Sequence, residues 1–125
     1  MYRNIIEQLR EWKNKEGRKP LILAGARQVG KTYILRKFGE EEFDNVVYVN
    51  CEDNVLAKNL FVQDYNMQRI VLALGAIAGQ SIEAGKTLII LDEIQEAPRG
   101  LSVLKYFCEN APQYHVAVAG SLLGI

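Results

Sequence analysis

Gly25-Ala26-Arg27-Gln28-Val29-Gly30-Lys31-Thr32 is the stretch on which the reading of this chain turns. It fits G-x-x-x-x-G-K-[ST], the phosphate-binding P-loop, and the spacing has a physical reason. Gly25 and Gly30 permit backbone conformations that a Cβ would forbid, so the loop can curl around an anion. Successive backbone N–H groups then point inward as a nest for phosphate oxygens. Lys31 and Thr32 open a helix, whose first amides add partial positive charge. The Lys31 ammonium is expected at the β- and γ-phosphates and the Thr32 hydroxyl at Mg²⁺. Tyr33, directly after, joins residues 25–32 as a candidate for cofactor binding.

The context agrees with the motif. Pro20-Leu21-Ile22-Leu23-Ala24 is a short apolar run bounded by Pro and Gly, which predicts a buried strand. In Tyr33–Phe38, Ile34, Leu35 and Phe38 share a helical face, and Gly39 is read as the stop. Strand, glycine loop and helix therefore follow in the order a P-loop requires.

The second decisive stretch is Thr87-Leu88-Ile89-Ile90-Leu91-Asp92-Glu93. Four apolar residues and two carboxylates describe a buried parallel strand whose C-terminal end opens at a site. This is the Walker B pattern. It predicts that Asp92 holds Mg²⁺ through a water opposite Thr32, and that Glu93 orients and deprotonates an attacking water. Alone the pattern is weak, because many strands end in an acidic turn. It gains force from the P-loop about sixty residues upstream, with one strand between.

The rest of the chain supplies scaffold. Tyr2 to Lys15 is an amphipathic helix with Ile5, Leu9 and Trp12 at helical spacing. Packing on the sheet is its plain role; one wall of a base pocket, through Tyr2 and Arg3, is the sharper one. Glu40 to Glu42 reads as a solvated corner. Asn45 to Cys51 is β-branched and apolar enough for a strand buried on both faces. Asp53 or Asn54 can cap a short helix through Phe61. Met67 to Ala78 forms a helix with Ile70, Val71, Leu74 and Ile77 inward and Gly79 as its end. Pro98 is suited to the first position of a helix. Leu101, Leu104 and Cys108 form that helix's predicted apolar face, with Phe107 beside it and Pro112 as its stop. His115 to Ala119 is a fourth strand closing on Gly120-Ser121. His115, the sole histidine, falls at the strand end away from the phosphates, which suits a surface or structural role. Ser121 falls at the near end, where a polar side chain can touch the γ-phosphate or the attacking water.

Size and charge set bounds. A chain of 125 residues predicts one domain, residues 1–125. Lys and Arg total 15 and Asp and Glu total 15, so no bulk charge draws the chain to nucleic acid or membrane. Cys51 and Cys108 lack metal-ligand spacing and read as buried free thiols in a reducing, cytoplasmic setting. No apolar run reaches membrane-spanning length.

P-loop, intervening strand, Asp92-Glu93 and a polar residue after the fourth strand resemble, in that order, the AAA+ branch of P-loop ATPases. "GARQVGKT", "YVNCED", "LIILDEIQEAPRGLSVLKYF" and "VAVAGSLLGI" are similar to a prokaryotic AAA+ family whose members carry an additional C-terminal domain of unknown function. The resemblance runs from about Lys19 to the end. It implies a three-layer α/β/α fold with a parallel sheet of about four strands in the order 1-4-3-2, and it implies ATP and Mg²⁺. It casts Ser121 as a sensor. Members of the superfamily continue into a fifth strand, a helical lid and an arginine finger, so the resemblance reads this chain as the N-terminal part of a longer protein. Two expectations follow: self-association through the open edge at Leu21–Ala24, and slow hydrolysis without the finger, which contributes roughly 10³–10⁵ in rate.

Two other readings stand beside the ATPase. A P-loop kinase needs an acceptor site and an arginine-rich lid, and neither is visible. A nucleotide-dependent interaction or DNA-binding switch could gather Arg27, Arg36, Lys37, Arg69 and Arg99 on one face, against the plainer reading of scattered solvated charges.

Overall fold

Two apolar runs with the period of buried strands, Thr87–Asp92 (β3) and His115–Ala119 (β4), form the centre of the molecule. Leu88, Ile89, Ile90, Leu91, Val116, Ala117 and Val118 are all buried, which both faces of a parallel sheet covered by helices require. The computed structural model describes residues 2–23 and 29–120, excepting the side chains of residues 2–4, 29 and 31. Leu21–Leu23 (β1) pairs with β4, and Asn45–Asn50 (β2) pairs with β3, all parallel, giving the order β1-β4-β3-β2. The order expected from the resemblance is the one found. The register aligns Leu23, Ala119, Asp92 and Asn50 across the C-terminal edge of the sheet.

Helices cover both faces. Tyr2–Asn14 (α1) and Val29–Glu42 (α2) bury Ile6, Leu9, Leu35 and Phe38 against Leu88, Ile90 and Ala117 on one side. Val55–Lys58 (α3), Met67–Ala78 (α4) and Gly100–Asn110 (α5) pack with Val47, Val49, Ile89, Leu91, Val116 and Val118 on the other. Each fully buried Leu, Ile or Phe side chain contributes roughly 1.5–3 kcal/mol, so the alternation along β3 and β4 fixes both layers.

Local chemistry sets the ends. Asn54 caps α3 by accepting from Ala57 N, and Asn66 caps α4 by accepting from Arg69 N. Gly79 ends α4 in the left-handed region at φ 72°. In other places the structure departs from the sequence reading. Gly39 does not stop α2, which runs three residues further to Glu42, so the acidic run is its last turn. A Cβ at Gly39 would stand 2.4 Å from Val46 Cγ2 and 3.0 Å from Leu88 Cδ2, so the glycine is there to let helix and sheet approach. The edge strand β2 is fully buried only at Val47 and Val49, not on both faces, and the other edge strand, β1, expected to be buried, has no fully buried residue and leaves Ile22 exposed. The helix after Asn54 ends at Lys58 rather than Phe61. Pro98 precedes α5 by two residues, with left-handed Arg99 between. The buried face of α5 is Gly100, Val103, Leu104 and Phe107, while Leu101 is exposed and Cys108 half-buried. Cys51 is buried.

His115 is structural and buried rather than superficial. Arg18 can only donate, so its contact to Nδ1 at 3.0 Å makes Nδ1 the acceptor; Nε2–H then donates to Lys13 O at 3.1 Å. Trp12 and Phe43 meet the ring edge-on. Burial above all lowers the His115 pKa, with the Arg18 and Lys13 charges adding to it and the bond to Lys13 O opposing it. The neutral ring thus ties α1 to the start of β4. Among the described residues no helix is long and apolar enough to cross a membrane.

Candidate functional site

The C-terminal edge of the sheet and the first turn of α2 meet at Asp92. Three donors converge on its carboxylate. Thr32 Oγ1 donates to Oδ2 at 3.2 Å, Tyr48 OH donates to the same oxygen at 2.6 Å, and Glu93 N donates to Oδ1 at 3.0 Å. Thr32 arrives on α2, Tyr48 on β2, and Asp92 is the last residue of β3. Tyr48 pairs in register with Ile90, so its side chain lies on the same face of the sheet as Asp92, two residues short of it.

Glu93 follows with φ 51° and ψ 47°, the left-handed region. A non-glycine residue held there costs roughly 1–2 kcal/mol, and the conformation turns the chain sharply out of β3 into the short 3₁₀ turn Ile94–Glu96. The Glu93 side chain is buried, and Gln95 Nε2 donates to its Oε1 at 2.6 Å. Gln95 Oε1 is itself buried without a hydrogen-bond partner.

The surroundings tune two acidic groups. Burial first, then the hydrogen bond and charge of Asp92, push the Tyr48 phenol up to about 12, so at neutral pH it remains a donor. The Arg36 guanidinium lies over the Tyr48 ring, 4.1 Å from its centre. Burial and then the Asp92 charge push the Cys51 thiol up to about 12, which leaves it an inert thiol rather than a nucleophile.

Of the candidate site residues, Thr32, Asp92 and Glu93 meet at this edge. Val29, Gly30 and Lys31 lie in the first turn of α2. Tyr33 follows on the same helix with its side chain 59% exposed. Gly25, Ala26, Arg27, Gln28 and Ser121 lie outside the described residues. Among the described residues no three His, Cys, Asp or Glu side chains gather to hold a metal. A cation here would draw instead on one hydroxyl, one carboxylate and the ligand's own oxygens, the set that suits Mg²⁺. Of the basic residues considered above, Arg27 lies outside the described residues and the other four do not converge. Arg36 and Lys37 lie on α2, on one side of the sheet; Arg69 and Arg99 lie on the other, bonded to Asp64 and Leu60 O and to Val62 O. Sequence reasoning passed over Tyr48 and Gln95. Neither carries a motif signal, since Tyr48 reads as one more β-former in β2.

A 1-4-3-2 parallel sheet between helical layers, with the glycine-loop helix facing an acidic strand end, defines the P-loop nucleoside-triphosphatase fold. Residues 17–125 match the AAA domain family, and the chain belongs to it. It is an AAA+ nucleotide-binding core. Its fold is similar to that of the Aeropyrum pernix Orc1 protein solved in complex with DNA, with a TM-score of 0.54 and 19% identity. That match covers 98% of this chain and 38% of the Orc1 chain, so this chain spans little more than a third of that protein's length. No curated protein matches this chain.

Proposed function

We propose that this domain binds ATP with Mg²⁺ and is the hydrolytic core of an AAA+ ATPase. The observation that carries the reading is the bond from Thr32 to Asp92, which joins the glycine-loop helix to the acidic strand end. Because the Thr32 hydroxyl donates its hydrogen bond to Asp92, its oxygen keeps its lone pairs for a cation, and Asp92 stands behind it to accept from cation-bound water. These are hard oxygen donors of the kind Mg²⁺ takes in ones and twos beside phosphate. An Mg²⁺ held by Thr32 and Asp92 would supply charge neutralisation to the phosphates. The amides of residues 25–30 cradle the phosphates and Lys31 counters their charge. Glu93 accepts a proton from the water that attacks the γ-phosphorus in line; the bond to the β-bridging oxygen breaks and ADP leaves. Gln95 holds the Glu93 carboxylate in place, and Ser121 senses the γ-phosphate.

The test is a calorimetric titration of Mg-ATP into the chain and into Lys31→Ala, with turnover measured on Glu93→Gln. Binding abolished by Lys31→Ala, and binding without turnover in Glu93→Gln, are expected. Wild-type turnover in Glu93→Gln would remove Glu93 from the role of base. Self-association through β1 belongs to the same reading. Among the described residues β1 pairs only with β4, and Ile22 is 51% exposed. Unpaired apolar edges recruit other chains, so light scattering should show mass rising with concentration, less so for Ile22→Lys. A constant monomer mass would remove this part of the reading.

A further inference from the structure

We propose that Tyr48 is a positioning residue for the cation site: its hydroxyl, clamped by Arg36, fixes the Asp92 carboxylate in the orientation that supports Mg²⁺ beside Thr32. The proposal rests on the ATP and Mg²⁺ reading above and goes beyond it by naming a residue outside both nucleotide motifs.

The carboxylate of an aspartate turns about a broad, two-fold torsion. The Glu93 amide holds one Asp92 oxygen from within the same segment, and Thr32 holds the other at 3.2 Å, the long end for a hydrogen bond. Tyr48 adds a contact of 2.6 Å from a different strand, the length of a charge-assisted bond between hydroxyl and carboxylate. The ring is itself held. Arg36 lies one helical turn beyond Thr32, on the same face of α2, and covers the ring at 4.1 Å. Helix α2 therefore supports the carboxylate twice, directly through Thr32 and through the ring by way of Arg36. A half-buried tyrosine needs some partner for its hydroxyl. What distinguishes this one is the partner it has, the oxygen that Thr32 also uses. Partners that orient a metal-supporting carboxylate typically matter about 10–100-fold in metal affinity.

The experiment is a calorimetric titration of ATP in EDTA and again in Mg²⁺, on wild type, Tyr48→Phe, Asp92→Asn and the double variant. The readout is the factor by which Mg²⁺ strengthens ATP binding. Tyr48→Phe keeps the ring and its Arg36 contact. It should bind ATP in EDTA as wild type does and lose about ten-fold of the Mg²⁺ enhancement. Asp92→Asn should lose the enhancement too, and adding Tyr48→Phe to it should change nothing further. Full enhancement in Tyr48→Phe, equal losses with and without Mg²⁺, or additive losses in the double variant would each overturn the proposal. A wild-type chain indifferent to Mg²⁺ would overturn the cation reading itself and this proposal with it; a responsive wild type with an unaffected Tyr48→Phe sinks the proposal alone. Should Tyr48→Phe not fold, Arg36→Met tests the clamp from the solvent side. A partial loss confined to Mg²⁺ is then expected, and an unchanged enhancement refutes the proposal.

Discussion

Gly100→Ala is the substitution whose cost can be worked most directly from the structure. Gly100 opens α5 against the 3₁₀ turn that follows Glu93. A Cβ there would lie 2.5 Å from the Ile94 carbonyl oxygen, 3.1 Å from Ile94 Cγ1 and 3.2 Å from its Cδ1. The first contact is with backbone, and that backbone cannot swing aside, because Ile94 is fully buried and its carbonyl already accepts from Ala97 N at 3.1 Å. Overpacking of this kind costs roughly 1–3 kcal/mol. The alanine recovers less than about 1 kcal/mol of helix propensity at a first position. The net loss is about 1–2 kcal/mol. With an unfolding entropy of about 2.1 cal/mol/K per residue over 125 residues, that is a fall of about 4–8 °C in Tm. Urea and thermal denaturation measure it. Gly79→Ala is the control, because nothing lies within 4 Å of its would-be Cβ and its cost comes from φ alone. Gly79→Asn should therefore recover stability, since Asn accepts the left-handed region, whereas Gly100→Asn should not. Wild-type stability in Gly100→Ala would refute the reasoning. So would full rescue by Ile94→Val, which removes only the Cδ1 contact and leaves the carbonyl where it was.

Three further outcomes follow from contacts described above. His115 has its pKa lowered in the fold, so the unfolded chain binds the proton more readily; stability present above the ordinary histidine pKa of about 6.5 should be lost as pH falls through the folded value, and urea midpoints for wild type and His115→Gln should diverge in slope across that window. Trp12→Phe removes the indole donor to Lys19 O at 2.7 Å and should cost about 0.5–1.5 kcal/mol in the same denaturation assay. Gln95→Ala removes the 2.6 Å bond to Glu93 and should lower kcat about ten-fold, roughly 1.4 kcal/mol, with ATP affinity unchanged; equal loss in both would assign Gln95 to folding instead.

The parts of the fold written in local pattern were legible. The β3 and β4 runs and the α4 helix with its Gly79 end are each set by neighbouring residues, and the strand order followed from the resemblance. The misreadings share a cause. Gly39 carries the local signal of a helix stop, but its glycine answers to Val46 and Leu88, distant in sequence. The α5 face shifted because Leu101 and Val103 are both apolar, and only docking against Ile94 and the sheet decides which turns inward. In the candidate site, Asp92 and Glu93 were legible because they end an apolar run. Tyr48 was not, because its partner lies 44 residues away and nothing in the pattern of β2 announces a polar contact.

Helix α2 is secured unevenly along its length. Its last residue, Glu42, is gripped by Arg10 through the carboxylate at 2.9 Å and by Lys13 through the carbonyl. At the other end the Thr32 hydroxyl bonds to Asp92. Fourteen residues make a rod about 21 Å long, so with the far end fixed a tilt of about 3° carries the near end through about 1 Å. A displacement of that size can cost a catalysed reaction on the order of 100-fold. Leu35 and Phe38, fully buried, hold the middle of the helix, so the small hydroxyl at its tip is left with only the fine aim of the first turn toward Asp92.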